Sequence, residues 1–194
     1  SVAFSPDGQY LAAAGQTLNL WDLASGEVTN TLAGHQSEIY SLAYSPDGTK
    51  IATASRDTEV KIWEAETGQV LLSLSDHAME VKKATFNTDG SRLATASLDG
   101  TVKVWDTETG QAIRSISSWP EQLQSVAFSP DGHQVATCSK NKIAKVWDID
   151  SGQIVLTLSG HSAAIGDIAF SSDGKTIATV SQDKTIRLHP VMAV

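Results

Sequence analysis

The sequence predicts an all-β protein made of repeated four-stranded antiparallel sheets. Three markers in register carry that prediction. A turn motif recurs: SVAFSPDG at 1–8 returns as SLAYSPDG at 41–48, KATFNTDG at 83–90, SVAFSPDG at 125–132 and DIAFSSDG at 167–174. Its glycines, Gly8, Gly48, Gly90, Gly132 and Gly174, step by 40, 42, 42 and 42 residues. Trp21, Trp63, Trp105 and Trp147 keep the 42-residue period, and so do Gly26, Gly68, Gly110 and Gly152. The shorter first step reflects a two-residue deletion between Gly8 and Trp21.

Each element of the unit can be read in order from the second copy. IYSLAYS (39–45) alternates and stops at the Pro46-Asp47-Gly48 turn signal. KIATAS (50–55) follows and ends at a tight turn around Arg56-Asp57. EVKIWEA (59–65) leads to Glu66-Thr67-Gly68, and QVLLSLS (69–75) closes the unit. Val, Ile, Leu, Thr and Ala fill the strands, while Gly, Pro and Asp fill the gaps. The connections are short, so the pairing is sequential and antiparallel. One such sheet cannot bury both faces, so neighbouring copies must stack on one another.

Composition narrows the functional classes. Of 194 residues, 41% are hydrophobic and 19% charged, as in a globular protein. The longest apolar run, around Tyr10 to Ala14, falls far short of the ~20 residues that cross a bilayer. The net charge is −8, with 14 basic and 22 acidic residues, which speaks against a nucleic-acid or anionic-membrane partner. The single cysteine, Cys138, cannot form an internal disulfide. The first residue is Ser, and no charged-then-apolar leader precedes the first strand. The expectation is therefore a cytoplasmic segment cropped from a longer protein.

Gly34-His35 is followed 22 residues later by Asp57 and six further by Trp63. His77, Asp99 and Trp105 repeat that spacing, and Trp-Asp pairs stand at 21–22, 105–106 and 147–148. In these motifs the chain resembles the WD-repeat family of β-propellers, bacterial tandem arrays in particular, over essentially its whole length. The resemblance implies a β-propeller segment over 1–194 with blades at about 1–33, 34–75, 76–117, 118–159 and 160–194. About four and a half blades are then present, with nineteen strands where five full blades need twenty. The last unit lacks its outer strand, and the turn glycine expected at 194 is Val194. Three closures compete. The favoured one is an open arc of a larger, seven-bladed ring. The others are a ring completed by a second chain and a self-closed ring of five. The partners then include the remaining blades, from the same or another chain.

The resemblance also implies a hydrogen-bonded chain in each complete blade. It runs from the turn Asp to the loop His, from His to a strand hydroxyl, and from the hydroxyl to the Trp indole. Its members are His35, Thr53, Ser55, Asp57 and Trp63; His77, Thr95, Ser97, Asp99 and Trp105; and His161, Thr179, Ser181 and Asp183, with Trp147 in the fourth unit. The indoles of three blades are expected to touch such a chain. Whether Thr or Ser supplies the hydroxyl stays open, because both lie on one side of the pleat. Ser, His and Asp at fixed spacing invite a hydrolase reading. Repetition argues against it, since a catalytic site is built once and a structural device recurs in every blade. Unit one has Ala13 and Gly15 in the hydroxyl positions and no Asp; unit four has Trp119 for His and Asn141 for Asp; unit five has His189 for Trp. The histidines show no metal-ligand spacing, the Ser-Pro-Asp-Gly carboxylates read as turn chemistry, and no phosphate-cradling glycine loop is present. No cofactor and no metal are expected.

What remains is a non-catalytic scaffold docking protein or peptide on the top face, as the resemblance implies. Three positions per blade point there: the third and fifth residues after His and the residue before the turn Asp. They are Glu38, Tyr40 and Arg56; Glu80, Lys82 and Leu98; Gln122, Gln124 and Lys140, with Trp119 nearby; and Ala164, Gly166 and Gln182. Tyr40, Arg56 and Trp119 are the expected anchors. One alternative is a regulatory or sensor domain of a larger bacterial signalling enzyme. Another, a propeller enzyme with a channel site, is disfavoured by the bland inner strands at Val2-Ala3-Phe4, Leu42-Ala43-Tyr44 and Val126-Ala127-Phe128.

Overall fold

A computed structural model describes residues 1–191, so the expectation at Val194 lies outside the described residues. Five antiparallel sheets follow one another along the chain. The first holds β1 (Val2–Phe4), β2 (Tyr10–Ala14), β3 (Leu18–Asp22) and β4 (Val28–Leu32). The second holds β5 (Ile39–Tyr44), β6 (Lys50–Ser55), β7 (Val60–Glu64) and β8 (Val70–Leu74). The third holds β9 (Val81–Phe86), β10 (Arg92–Ser97), β11 (Thr101–Asp106) and β12 (Ala112–Ser117). The fourth holds β13 (Leu123–Phe128), β14 (Gln134–Ser139), β15 (Ala144–Asp148) and β16 (Ile154–Leu158). The last has three strands, β17 (Ile165–Phe170), β18 (Thr176–Ser181) and β19 (Ile186–Pro190). Within every sheet the strands lie in sequence order.

Local chemistry sets the turns. Between β5 and β6 the Ser45 hydroxyl donates to Asp47 at 2.6 Å, and the Thr49 N–H donates to the same carboxylate at 3.0 Å. Gly48 then takes φ 75°, a left-handed conformation that costs a side-chain-bearing residue, and its N–H donates to the Ser45 carbonyl at 2.9 Å.

The sheets stack through unlike faces. Ala12, Leu18, Leu20 and Leu32 of the first sheet meet Ile39, Leu42, Ile51 and Trp63 of the second. The same pairing recurs where Ala52, Ala54, Val60 and Ile62 meet Leu93 and Trp105. It recurs twice more along the array. Alanines on one side leave room for Trp63 and Trp105 on the other, which is how a close-packed interface fills. The innermost strands β1, β5, β9, β13 and β17 each pack on the next, but among the described residues the last sheet does not pack on the first in this way. The molecule is thus a partial propeller, an open arc. Val2 and Phe4 are 68% and 64% exposed on its first flank; Ile186 and Leu188 are 70% and 69% exposed on its last.

The two ends of the sheets differ in charge. At the lower end lie the turns that join first to second and third to fourth strands. Asp7, Asp47, Asp89, Asp131 and Asp173 stand in the former. Asp22, Glu64, Asp106 and Asp148 end the third strands there. At the upper end lie the second-to-third turns and the loops between sheets, where charges are mixed: Arg56, Lys140, Lys142 and Lys184 are exposed, and so are Glu38 and Asp76.

Candidate functional site

The upper end is organised by a buried polar chain. In the second sheet His35 Nδ1 lies 2.9 Å from Asp57 Oδ2, and His35 Nε2 lies 2.7 Å from Thr53 Oγ1. The Trp63 indole N–H donates to the same Thr53 oxygen at 2.8 Å. One proton arrangement satisfies every group: Nδ1–H donates to Asp57, the Thr53 hydroxyl donates to Nε2, and the indole donates to Thr53. The hydroxyl in the chain is therefore threonine's. The serine does different work: the Asp57 N–H donates to Ser55 Oγ at 3.1 Å, and Ser55 Oγ donates to the Ser37 carbonyl at 3.4 Å. Trp63 lies opposite Ile51 across the strand pair, so its ring reaches along the face to Thr53 and stops short of Ser55.

The third sheet repeats the arrangement with His77, Asp99, Thr95 and Trp105 at 3.0, 2.8 and 2.9 Å. Two sheets, not three, join an indole to the full chain. In the fourth, Trp147 donates to Thr137 at 2.9 Å, but Asn141 and Trp119 supply no Asp–His pair. Trp119 instead stands 72% exposed, its ring edge against Gly100. Glu121 turns inward and binds Lys145 at 2.8 Å. In the fifth, His161 keeps Asp183 and Thr179 at 2.8 and 2.9 Å, and His189 Nε2 lies 3.1 Å from the same threonine in the indole's place.

Electrostatics fit a framework. Burial pushes the Asp99 carboxyl up, but hydrogen bonds from His77, Thr101 and the Ala78 N–H outweigh it and hold the group well below the usual carboxylate range. Burial lowers His35 despite the Asp57 carboxylate beside it. Thr53, Thr95 and Thr179 are 0% exposed, so these hydroxyls cannot meet a substrate. Ligand atoms of His35, Asp57 and Glu59 lie within 4.8 Å of one another. The His35 nitrogen is committed to Asp57, however, and Glu59 pairs with Lys61 at 2.7 Å. Among the described residues no buried side-chain nitrogen or oxygen lacks a partner.

Around this framework the three upper-end positions of each sheet are tied together through the backbone. The Arg56 N–H donates to the Glu38 carbonyl at 2.9 Å; Leu98 does so to Glu80 at 3.0 Å, Lys140 to Gln122 at 3.2 Å, and Gln182 to Ala164 at 2.9 Å. The remaining position of each set falls on a β-bulge. Strand pairing skips Tyr40, Lys82, Gln124 and Gly166 in turn. A bulged residue is released from the ladder and its side chain is re-aimed. The strand alternation alone does not expose these bulges, but a signal for them exists. Ile39 and Leu42 enter one core cluster although they are three apart, which a regular strand with period two forbids. Between the second and third sheets the side chains also meet. The Tyr40 hydroxyl donates to Glu80 at 3.1 Å, Arg56 Nε lies 3.5 Å from Glu80, and Lys82 Nζ sits 3.2 Å from the centre of the Tyr40 ring. Glu38, Arg56, Lys140, Gly166 and Gln182 are exposed; Tyr40, Glu80, Lys82, Leu98, Gln122, Gln124 and Ala164 are half-buried.

Stacked four-stranded sheets with a Trp–Thr–His–Asp chain at one end define a WD-repeat domain. The family model "WD domain, G-beta repeat" matches residues 1–22, 26–64, 68–106, 110–148 and 152–189. The chain belongs to that family. It is 40% identical over 60 residues to the Intraflagellar transport protein 122 homolog of Homo sapiens, a match covering 30% of this chain and 5% of that protein. It is 47% identical over 45 residues to Coronin-7 of Rattus norvegicus, covering 23% of this chain and 5% of the relative. Both are animal proteins, and they lend no support to the resemblance to bacterial arrays. No described helix is long and apolar enough to cross a membrane.

Proposed function

We propose that the chain is a non-catalytic docking scaffold whose upper end receives a protein or peptide partner. The observation that supports this best is the bulge series. The same backbone irregularity falls on Tyr40, Lys82, Gln124 and Gly166 at the inner rim of the upper end, a different residue each time. The buried chain beneath answers to packing and repeats, whereas these side chains are free to differ. Tyr40, Arg56, Glu80 and Lys82 form the most cohesive part of the surface, and Trp119 adds an exposed aromatic. Tyr, Arg and Trp are the residues that most often anchor interfaces. The test is a pull-down with the full-length protein, followed by Tyr40→Ala and Arg56→Ala together. Binding is expected to fall by at least about tenfold. Undiminished binding by a folded double variant rejects the upper end.

A further inference from the structure

At the lower end each pair of neighbouring sheets leaves a groove, and two of these grooves are spanned by the chain's own cations. In the second groove Lys50, the first residue of β6, pairs with Glu108 in the turn after β11. In the third, Arg114 of β12 donates its Nε–H to the Ile149 carbonyl at 2.8 Å and a terminal N–H to the Asp150 carbonyl. The first groove has the same plan with different residues. Tyr10 stands where Lys50 does one repeat later, and Asn30 occupies the place of Arg114. Asn30 reaches only the Glu66 carbonyl, at 3.1 Å. Glu66 is the counterpart of Glu108. The result is a cavity of about 450 Å³ walled by Asp7, Tyr10, Asn30, Tyr44, Asp47 and Glu66, with no Lys, Arg or His in its lining.

We infer that this cavity binds a cationic side chain, arginine or lysine, presented by a protein partner. The walls supply what such a group needs. Asp7 and Asp47 are held below the usual carboxylate range by hydrogen bonds from the Ser5 and Ser45 hydroxyls, so both stay charged at neutral pH. Tyr10 and Tyr44 offer aromatic rings, and a ring face attracts a guanidinium or ammonium. Burial, with Asp7 nearby, pushes the Tyr44 phenol up, so it stays neutral. The volume lies in the range of specific side-chain and small-ligand pockets. The second and third grooves show that an ammonium and a guanidinium are each accommodated by this plan.

The probe is the peptide acetyl-Gly-Arg-Gly-amide, titrated into the full chain by NMR, with its citrulline counterpart as the neutral control. Saturable shifts at Tyr10, Tyr44 and Glu66 are expected with arginine and not with citrulline. Two variants at exposed positions then divide the outcomes. Glu66→Gln removes one of the three carboxylates, the counterpart of the one that pairs with Lys50 in the second groove, and Tyr10→Lys rebuilds the arrangement of that groove so that the chain supplies its own cation. Each is expected to weaken binding about tenfold while the melting midpoint stays at the parent's value. No saturable shift, equal binding of citrulline, or unchanged affinity in either variant overturns the inference. None of these outcomes bears on the upper end.

Discussion

In the second and third blades a single threonine carries two ring systems. Thr95 accepts the Trp105 indole and donates to His77, and both rings depend on a hydroxyl that is 0% exposed. Removing the far end of that chain strands the imidazole. Asp99→Ala is therefore expected to destabilise the protein by about 1–3 kcal/mol, the cost of leaving buried donors without an acceptor. Asp89→Ala, which deletes only an exposed turn bond to the Ser91 N–H, is expected to cost clearly less. Thermal melts of both variants check this, and equal shifts reject the hydrogen-bond account. The residue types of the chain were legible from their 42-residue spacing. The choice between Thr and Ser was not, because both face the same side of the strand. It depends on how far the indole reaches across the strand pair, which spacing does not encode.

At the scale of strands and loops, the elements follow from turn chemistry and alternation, and all nineteen strands stand where those signals put them. The irregularities are harder to read. A bulge shifts one residue out of register, and its only trace is an apolar pair three apart, such as Val81 and Ala84 in one cluster. Trp119, standing where other units have His, was legible as an upper-end aromatic; the pairing of Glu121 with Lys145 two residues on was not. The loop from β4 to β5 shows how tightly such connections are held. A Cβ added at Gly34 would come within 2.9 Å of the Trp63 ring, which is 1% exposed and packed. Gly34→Ala is expected to cost about 1–3 kcal/mol through overpacking. Gly15→Ala, where a Cβ meets nothing within 4 Å, is expected to be near neutral. Denaturant midpoints separate the two, and equal midpoints refute the contact.

The molecule as a whole is an arc with two unlike faces left uncovered. Inside it, an Ala-bearing face of one sheet meets a face of the next that carries larger side chains, Trp63, Trp105 and Trp147 among them. The first flank presents Val2, Phe4 and Trp21, and the last presents Ile186 and Leu188. Among the described residues the third strand of the last sheet, β19, also has no fourth strand beside it. Exposed apolar faces and unpaired edges drive association. The chain is expected to associate with rising concentration in sedimentation velocity, and Phe4→Glu with Leu188→Glu is expected to suppress it. Unchanged sedimentation of the double variant would show that the flanks are not the contact.

The excess of carboxylates at the lower end over the mixed charges of the upper gives the arc an electric dipole along its axis. A charged partner approaching within a Debye length, about 8 Å at physiological salt, exerts a torque before any side chain touches. A cationic partner turns the carboxylate-rich lower end toward itself, and an anionic one turns the upper end. The two ends are thus sorted by the sign of the visitor during encounter, a preference that fades as salt shortens the range of the field.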